Sequence, residues 1–125
     1  LDVERIDKKS YSVAMSILSS QEQDLLKMID LPEQETGTML WCAKESLSKA
    51  LKTGFTIDLK ILEVSCLSLR GAYVECDFRF FPQFKARIWA RNGFAWAVVL
   101  PKGGWLDVSE LMAYQDRQLM ASEQV

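Results

Sequence analysis

The sequence predicts an α+β domain: an antiparallel sheet of about four to five strands packed on one long helix, with shorter helices beside it. Three observations lead there. Apolar residues recur at helical spacing through the first half, most clearly from Leu40 to Leu51, whereas from Ile57 onward the period changes to two. Gly71 and the pair Asn92-Gly93 stand where such a chain has to turn. A meander whose strands alternate apolar and polar side chains buries one face, and the long helix is the element available to cover it.

Taken in order, Leu1-Asp2-Val3-Glu4-Arg5-Ile6 alternates apolar and polar residues and reads as an opening strand. Asp7-Lys8-Lys9-Ser10 interrupts it, and Tyr11 to Leu18 reads as a short helix. Ser19 and Glu22 have the capping-box spacing, ahead of a second helix whose apolar face is Leu25, Leu26, Met28 and Ile29. Leu31-Pro32 ends that helix. Glu33 to Gly37 is expected as a loop, with Thr36 or Thr38 capping the long helix and Gly54 closing it. Leu40, Ala43, Leu47, Ala50 and Leu51 form the long helix's apolar arc at about 100° per residue. In the second half, Ile57, Leu59 and Ile61 make one strand pattern. Ala72, Val74, Cys76, Phe78 and Phe80 make another, alternating with Tyr73, Glu75, Asp77 and Arg79. Pro82 breaks the pattern, Phe84, Ala86, Ile88 and Ala90 resume it, and Asn92-Gly93 leads into Phe94 to Leu100. Asp107 or Ser109 is expected to cap a last short helix near Leu111. Residues 1–114 are then one domain and 115–125 a polar tail.

Composition narrows the possible functions. At 125 residues, 49% of them hydrophobic, the chain can bury a real core. A formal net charge of −2 provides no general attraction to nucleic acid or to an anionic membrane. Cys42, Cys66 and Cys76 match no metal-binding spacing and are expected as buried, reduced thiols in a cytoplasmic protein. The absence of histidine excludes His-based metal sites and His general bases within the segment. The longest apolar run, Phe94 to Leu100, is far too short to span a bilayer.

The chemistry-bearing residues lie at the two ends of the first half. On the long helix, Glu45 and Lys49 sit one turn apart, Lys44 lies at the border of the apolar arc, and Lys52 follows. An acid among several cations suits a phosphate with its metal. It equally suits an ordinary Glu-to-Lys pair at i, i+4, worth about 0.2–0.5 kcal/mol. In the first strand, Asp2 and Glu4 are two residues apart and therefore share a face. Their charges repel at that spacing, and a divalent cation between them removes the cost.

An Asp-x-Glu strand, then after roughly 35 to 40 residues Trp41-x-x-Lys44-Glu45-Ser46-x-x-Lys49-Ala50, then Gly54-Phe55 and a strand, resembles the 4′-phosphopantetheinyl transferase superfamily, in particular its surfactin-synthetase-activating branch. The resemblance runs from Leu1 to about Pro101, and the Trp-x-x-Lys-Glu-Ser-x-x-Lys string is its most specific part. That family's first motif is Gly-x-Asp-x-Glu and this chain begins just after the expected glycine, so a fragment resembling the C-terminal half of a two-half enzyme is expected. The resemblance implies Mg²⁺-dependent transfer of the 4′-phosphopantetheine arm of coenzyme A, the substrate, to a serine of an acyl or peptidyl carrier protein, releasing 3′,5′-ADP. It implies Asp2, Glu4 and Glu45 as metal ligands, which converge if the long helix lies across the first strand and can complete a six-oxygen shell with water and phosphate oxygens. It also implies Lys44 and Lys49 at the diphosphate; Glu45 or a metal-bound water is the candidate acceptor for the serine proton. Partners implied are the carrier protein and the missing N-terminal half or another subunit. Arg5, Lys8, Lys9 and Lys27, with Tyr11, Met15 and Met28, are candidates for a patch facing an acidic carrier. Trp41 is expected to pack. Two alternatives stay open: a catalytically silent module that binds carrier protein or coenzyme A, and a holo-acyl-carrier-protein synthase acting as an oligomer. If the charged helix face is merely solvated, Glu45→Ala and Lys49→Ala should change no binding.

Overall fold

The structure, a computed structural model, describes residues 1–51 and 59–103. Five strands, β1 (Asp2–Arg5), β2 (Val64–Arg70), β3 (Tyr73–Phe78), β4 (Phe84–Arg91) and β5 (Phe94–Pro101), form one antiparallel sheet in the order β1-β5-β4-β3-β2. Three helices, α1 (Lys8–Ile17), α2 (Ser20–Met28) and α3 (Glu33–Ala50), separate β1 from the rest in sequence. The expected α+β architecture is the observed one. Its last four strands form a meander, and β1 returns beside β5 to close the edge.

Local chemistry explains where the elements start and stop. Asp7 caps α1 by accepting the Ser10 amide on its Oδ1 at 2.8 Å, so the helix begins at Lys8, three residues before the expected start at Tyr11. Ser19 and Glu22 form a reciprocal capping box: each side chain takes the other's backbone N–H, at 3.2 and 3.0 Å. The long helix departs from expectation. Glu33 to Gly37 is its first turn rather than a loop, because Pro32 supplies a ready-made φ and Glu33 and Glu35 complement the positive end of the helix dipole. Thr36 and Thr38 are therefore interior. Their hydroxyls donate back to the carbonyls of Pro32 and Gln34 at 2.8 and 2.9 Å, and neither is a cap. Gly37 lets α1 approach closely, since a Cβ there would meet the Tyr11 ring at 3.2 Å.

Two strand expectations also change. Leu59 and Ile61 belong to a 3-10 turn, Leu59–Leu62, and the strand before Gly71 is β2 instead. Phe80 lies beyond the end of β3 and is exposed. The turns hold: Gly71 has φ +66°, and Asn92 and Gly93, at +56° and +77°, make the doubly left-handed turn that matches hairpin twist. Ile57, Gly54, the helix expected near Leu111 and the 115–125 tail fall outside the described residues.

The core lies between α3 and the inner sheet face, where Leu40, Ala43 and Leu47 meet Val74, Cys76, Ala86, Ile88, Ala95 and Ala97. Ala43, Ala95 and Ala97 are wholly buried and small, which brings the helix axis close to β5. Ala50 is exposed and so is not part of the apolar arc; of the three cysteines expected to be buried, Cys42 and Cys76 are, whereas Cys66 on the edge strand β2 is exposed. On the outer face, Lys85 pairs with Glu75 at 3.5 Å, and Trp89 packs among Tyr73, Trp96 and Val98.

Candidate metal centre

The first strand is inverted relative to its hydrophobicity. Asp2 and Glu4 register with Ala97 and Ala95, whose side chains are in the core, so both carboxylates point inward under α3. Asp2 is only 6% exposed, while Leu1 and Val3 stand at 65% and 43%. A strand arranged for burial alone would show the opposite faces. Burying two carboxylates and exposing two aliphatic residues costs stability, and such a cost marks a site.

Helix α3 supplies the third carboxylate. Cys42 Sγ donates to the Ala95 carbonyl at 3.5 Å and seats this side of the helix on β5. Glu45, nearly one turn further, faces β1. One carboxylate oxygen from each of Asp2, Glu4 and Glu45 lies within 4.8 Å of the others. Lys49, another turn on, reaches back to Asp2 Oδ1 at 2.5 Å, and its ammonium is mostly exposed. The ordinary Glu45–Lys49 pair is therefore not what Lys49 makes here; its carboxylate partner is on the strand.

Electrostatics follow from this crowding. Burial, then the Glu4 and Asp2 carboxylates beside it, push Glu45 up from 4.5 to about 8. The hydrogen bond to Asp2 raises Lys49 and secures its charge. Burial, followed by the three carboxylates, pushes the Cys42 thiol far above its usual range, so it stays neutral and is no ligand. Asp2 Oδ2 is buried with no hydrogen-bond partner. An orphaned inward oxygen, two further carboxylates within reach and no nitrogen or sulfur donor in the set of three fit a hard, oxygen-loving dication such as Mg²⁺. Asp2, Glu4 and Glu45 would hold it.

Lys44 is placed differently from the other motif residues. Its ammonium, 2% exposed, turns into the core and pairs with Glu22 Oε1 at 2.8 Å. The charged border expected on the helix surface is thus an internal ion pair, because α3 is covered by α2 and the 3-10 turn Leu59–Leu62 on that side. A cavity of about 550 Å³, lined by Ser19, Lys44, Lys60, Glu63, Arg79 and Phe80 among others, opens there, and none of the three carboxylates lines it. Trp41 is half-buried. The basic patch expected for a carrier protein is spread over three elements: Arg5 on β1, Lys8 and Lys9 at the start of α1, and Lys27 at the end of α2, all exposed.

Three contributors went unread in the sequence. Cys42 and the alanines of β5 set the distance between α3 and β1, and Phe94-Ala95-Trp96-Ala97 carried the signal, since its small residues alternate onto one face. Glu22 is wholly buried although it also completes the capping box. No helix among the described residues is long and apolar enough to cross a membrane.

Compared with known proteins, residues 1–99 match the family described as the 4′-phosphopantetheinyl transferase superfamily. No curated protein and no solved structure matches the chain.

Proposed function

Because the chain belongs to the 4′-phosphopantetheinyl transferase superfamily, we propose that it carries the metal-binding half-site of an Mg²⁺-dependent transferase that moves the 4′-phosphopantetheine arm of coenzyme A to a serine of an acyl or peptidyl carrier protein. The observation that supports this most directly is the convergence of Asp2, Glu4 and Glu45 under α3, at the expense of the hydrophobic order of β1.

In the proposed reaction the serine oxygen bonds to the phosphorus that bears the pantetheine arm, the bond from that phosphorus to the bridging oxygen breaks, and 3′,5′-ADP departs with the electron pair. Bound Mg²⁺ would neutralise the diphosphate oxygens and the charge that develops on the leaving group. Asp2, Glu4 and Glu45 orient oxygens at fixed mutual distances, so no reorganisation is needed when charge shifts. Lys49 is exposed except where Asp2 holds it, and its ammonium can swing to a phosphate oxygen without leaving a bare charge in the core. Lys44, expected at the diphosphate, is instead engaged by Glu22, which leaves Lys49 as the motif lysine to assist the metal at the phosphate oxygens. The serine proton passes to Glu45 or to solvent.

The test is transfer to an apo carrier protein, read by mass spectrometry as the gain of one phosphopantetheine group, for the chain alone and for the protein at its native length. Activity in the native protein that requires Mg²⁺ and is lost in Glu45→Gln and Asp2→Asn supports the proposal. Coenzyme A or carrier binding without turnover would establish the silent module instead. Turnover that survives both substitutions would remove the carboxylates from the mechanism.

A further inference from the structure

We infer that Lys44 is a positioning residue: its ion pair with Glu22 sets the rotation of α3, and so holds Glu45 over Asp2 and Glu4. This rests on the metal-centre reading above and assigns Lys44 a role in it other than contact with substrate.

The pair is built as a socket. Glu22 is fixed from two elements before Lys44 arrives, since its Oε1 accepts the Ser19 amide at the cap of α2 and its Oε2 accepts the Val64 amide at the start of β2, both at 3.0 Å. Lys44 Nζ then meets Oε1 at 2.8 Å, and both side chains are almost completely out of solvent. A charge-assisted bond at that depth is directional, because any displacement leaves two buried charges unpaired. Elsewhere α3 meets the sheet mainly through apolar contacts, with Ala43 and Leu47 over Ala95 and Ala97, which resist turning of a helix much less than they resist separation; the Cys42 thiol on the Ala95 carbonyl and the exposed Lys49–Asp2 pair are weaker polar ties.

A hold on rotation is needed. Lys44 and Glu45 are consecutive and so project about 100° apart, one toward Glu22 and one toward β1. Whenever Glu45 is ionised, repulsion from Asp2 and Glu4, whose oxygens lie within 4.8 Å of its own, drives it away from β1, which is a torque on α3. With side-chain ends about 5–6 Å from the helix axis, a turn of about 20° moves the Glu45 carboxylate by about 2 Å. That exceeds the tolerance of about 0.5 Å for a working ligand set. Lys44, on the adjacent side of the same turn, opposes it.

The experiment compares the wild type with Lys44→Met, Glu22→Gln and the double variant Glu22→Gln/Lys44→Met, titrated with Mg²⁺ alone by calorimetry well below each melting midpoint. Residual dipolar couplings of the metal-free proteins report how α3 lies on the sheet. The expected result is a loss of about tenfold in Mg²⁺ affinity in each single variant, as supporting groups of a metal site typically show, with no further loss in the double. Should a single variant fail to fold, the double, which leaves no unpaired charge in the core, carries the comparison. Unchanged Mg²⁺ affinity with an unturned α3 overturns the inference, as does loss confined to coenzyme A binding while Glu22→Gln is silent, which would place Lys44 on the substrate. If the wild type binds no Mg²⁺, the metal-centre reading fails, and the couplings alone decide: a turned α3 in the double variant supports positioning and an unturned one refutes it.

Discussion

Acidification from pH 8 to 6 should weaken Mg²⁺ binding steeply, and the structure sets the size of the effect. Burial and the neighbouring Glu4 and Asp2 carboxylates make Glu45 hold its proton up to about pH 8. At pH 7 about nine-tenths of the molecules carry that proton, and at pH 9 about one-tenth. A dication needs the ionised form, so each Mg²⁺ bound at pH 7 should release about 0.9 proton, and the apparent Kd should rise about tenfold, or about 1.4 kcal/mol, from pH 7 to pH 6. The chain has no histidine, so no imidazole titrates in this window. Calorimetry at pH 7 in two buffers of different ionisation heat measures the release, and Glu45→Gln should abolish it while weakening binding. An affinity flat from pH 6 to 8, with heats independent of buffer, would falsify the coupling between the cluster and the metal.

The same proton should shape stability. Because Glu45 binds it more tightly in the folded chain than at the ordinary 4.5, this contribution is complete below about pH 4.5 and is lost as pH rises to about 8; without metal, Glu45→Gln should therefore melt progressively higher than the parent between pH 5 and 9, and Mg²⁺ should reverse the order. Ser19→Ala removes an acceptor for the Glu22 amide and a 3.1 Å bond to Glu63, and should cost about 1–2 kcal/mol in urea unfolding without changing the m-value. Ala97→Leu adds volume where α3 is nearest β5 beside Asp2; a loss of about 1–3 kcal/mol is expected, together with weaker Mg²⁺ binding, and an unchanged midpoint would mean that the seam between helix and strand has slack.

Much of the fold was legible because local chemistry and tertiary packing agree along most of the chain. The capping box at Ser19, the left-handed pair Asn92-Gly93 and the alternation of β3 to β5 each carry their own physical cause, which the tertiary structure does not override. The misreadings came where composition and context diverge. Glu33-Gln34-Glu35-Thr36-Gly37 is polar enough to read as loop, yet it is the start of a helix whose early turns are buried by α1, where Gly37 answers to Tyr11 and not to a turn. Leu59 and Ile61 alternate correctly for a strand but span too few residues to exclude a 3-10 turn, where residues three apart align instead.

The site was legible for the reason that makes it costly. Hydrophobic pattern alone would turn Leu1 and Val3 inward, and only the paired carboxylates argue for the reverse; the structure adopts the reverse. Lys44 was harder, since a lysine beside Glu45 on a charged stretch looks like one more surface cation. What hides it is Glu22, placed on the preceding helix by a cap motif that accounts for one of its oxygens and says nothing of the other. Spacing of i, i+4 or i, i+2 reveals partners on one element, whereas the partners of Asp2, Lys44 and Lys49 are each on another. A carboxylate cluster that repels itself once Glu45 ionises and a buried ion pair one residue away are thus, on the inference above, two parts of one balance on α3: the first makes a cation favourable, and the second holds the helix against turning.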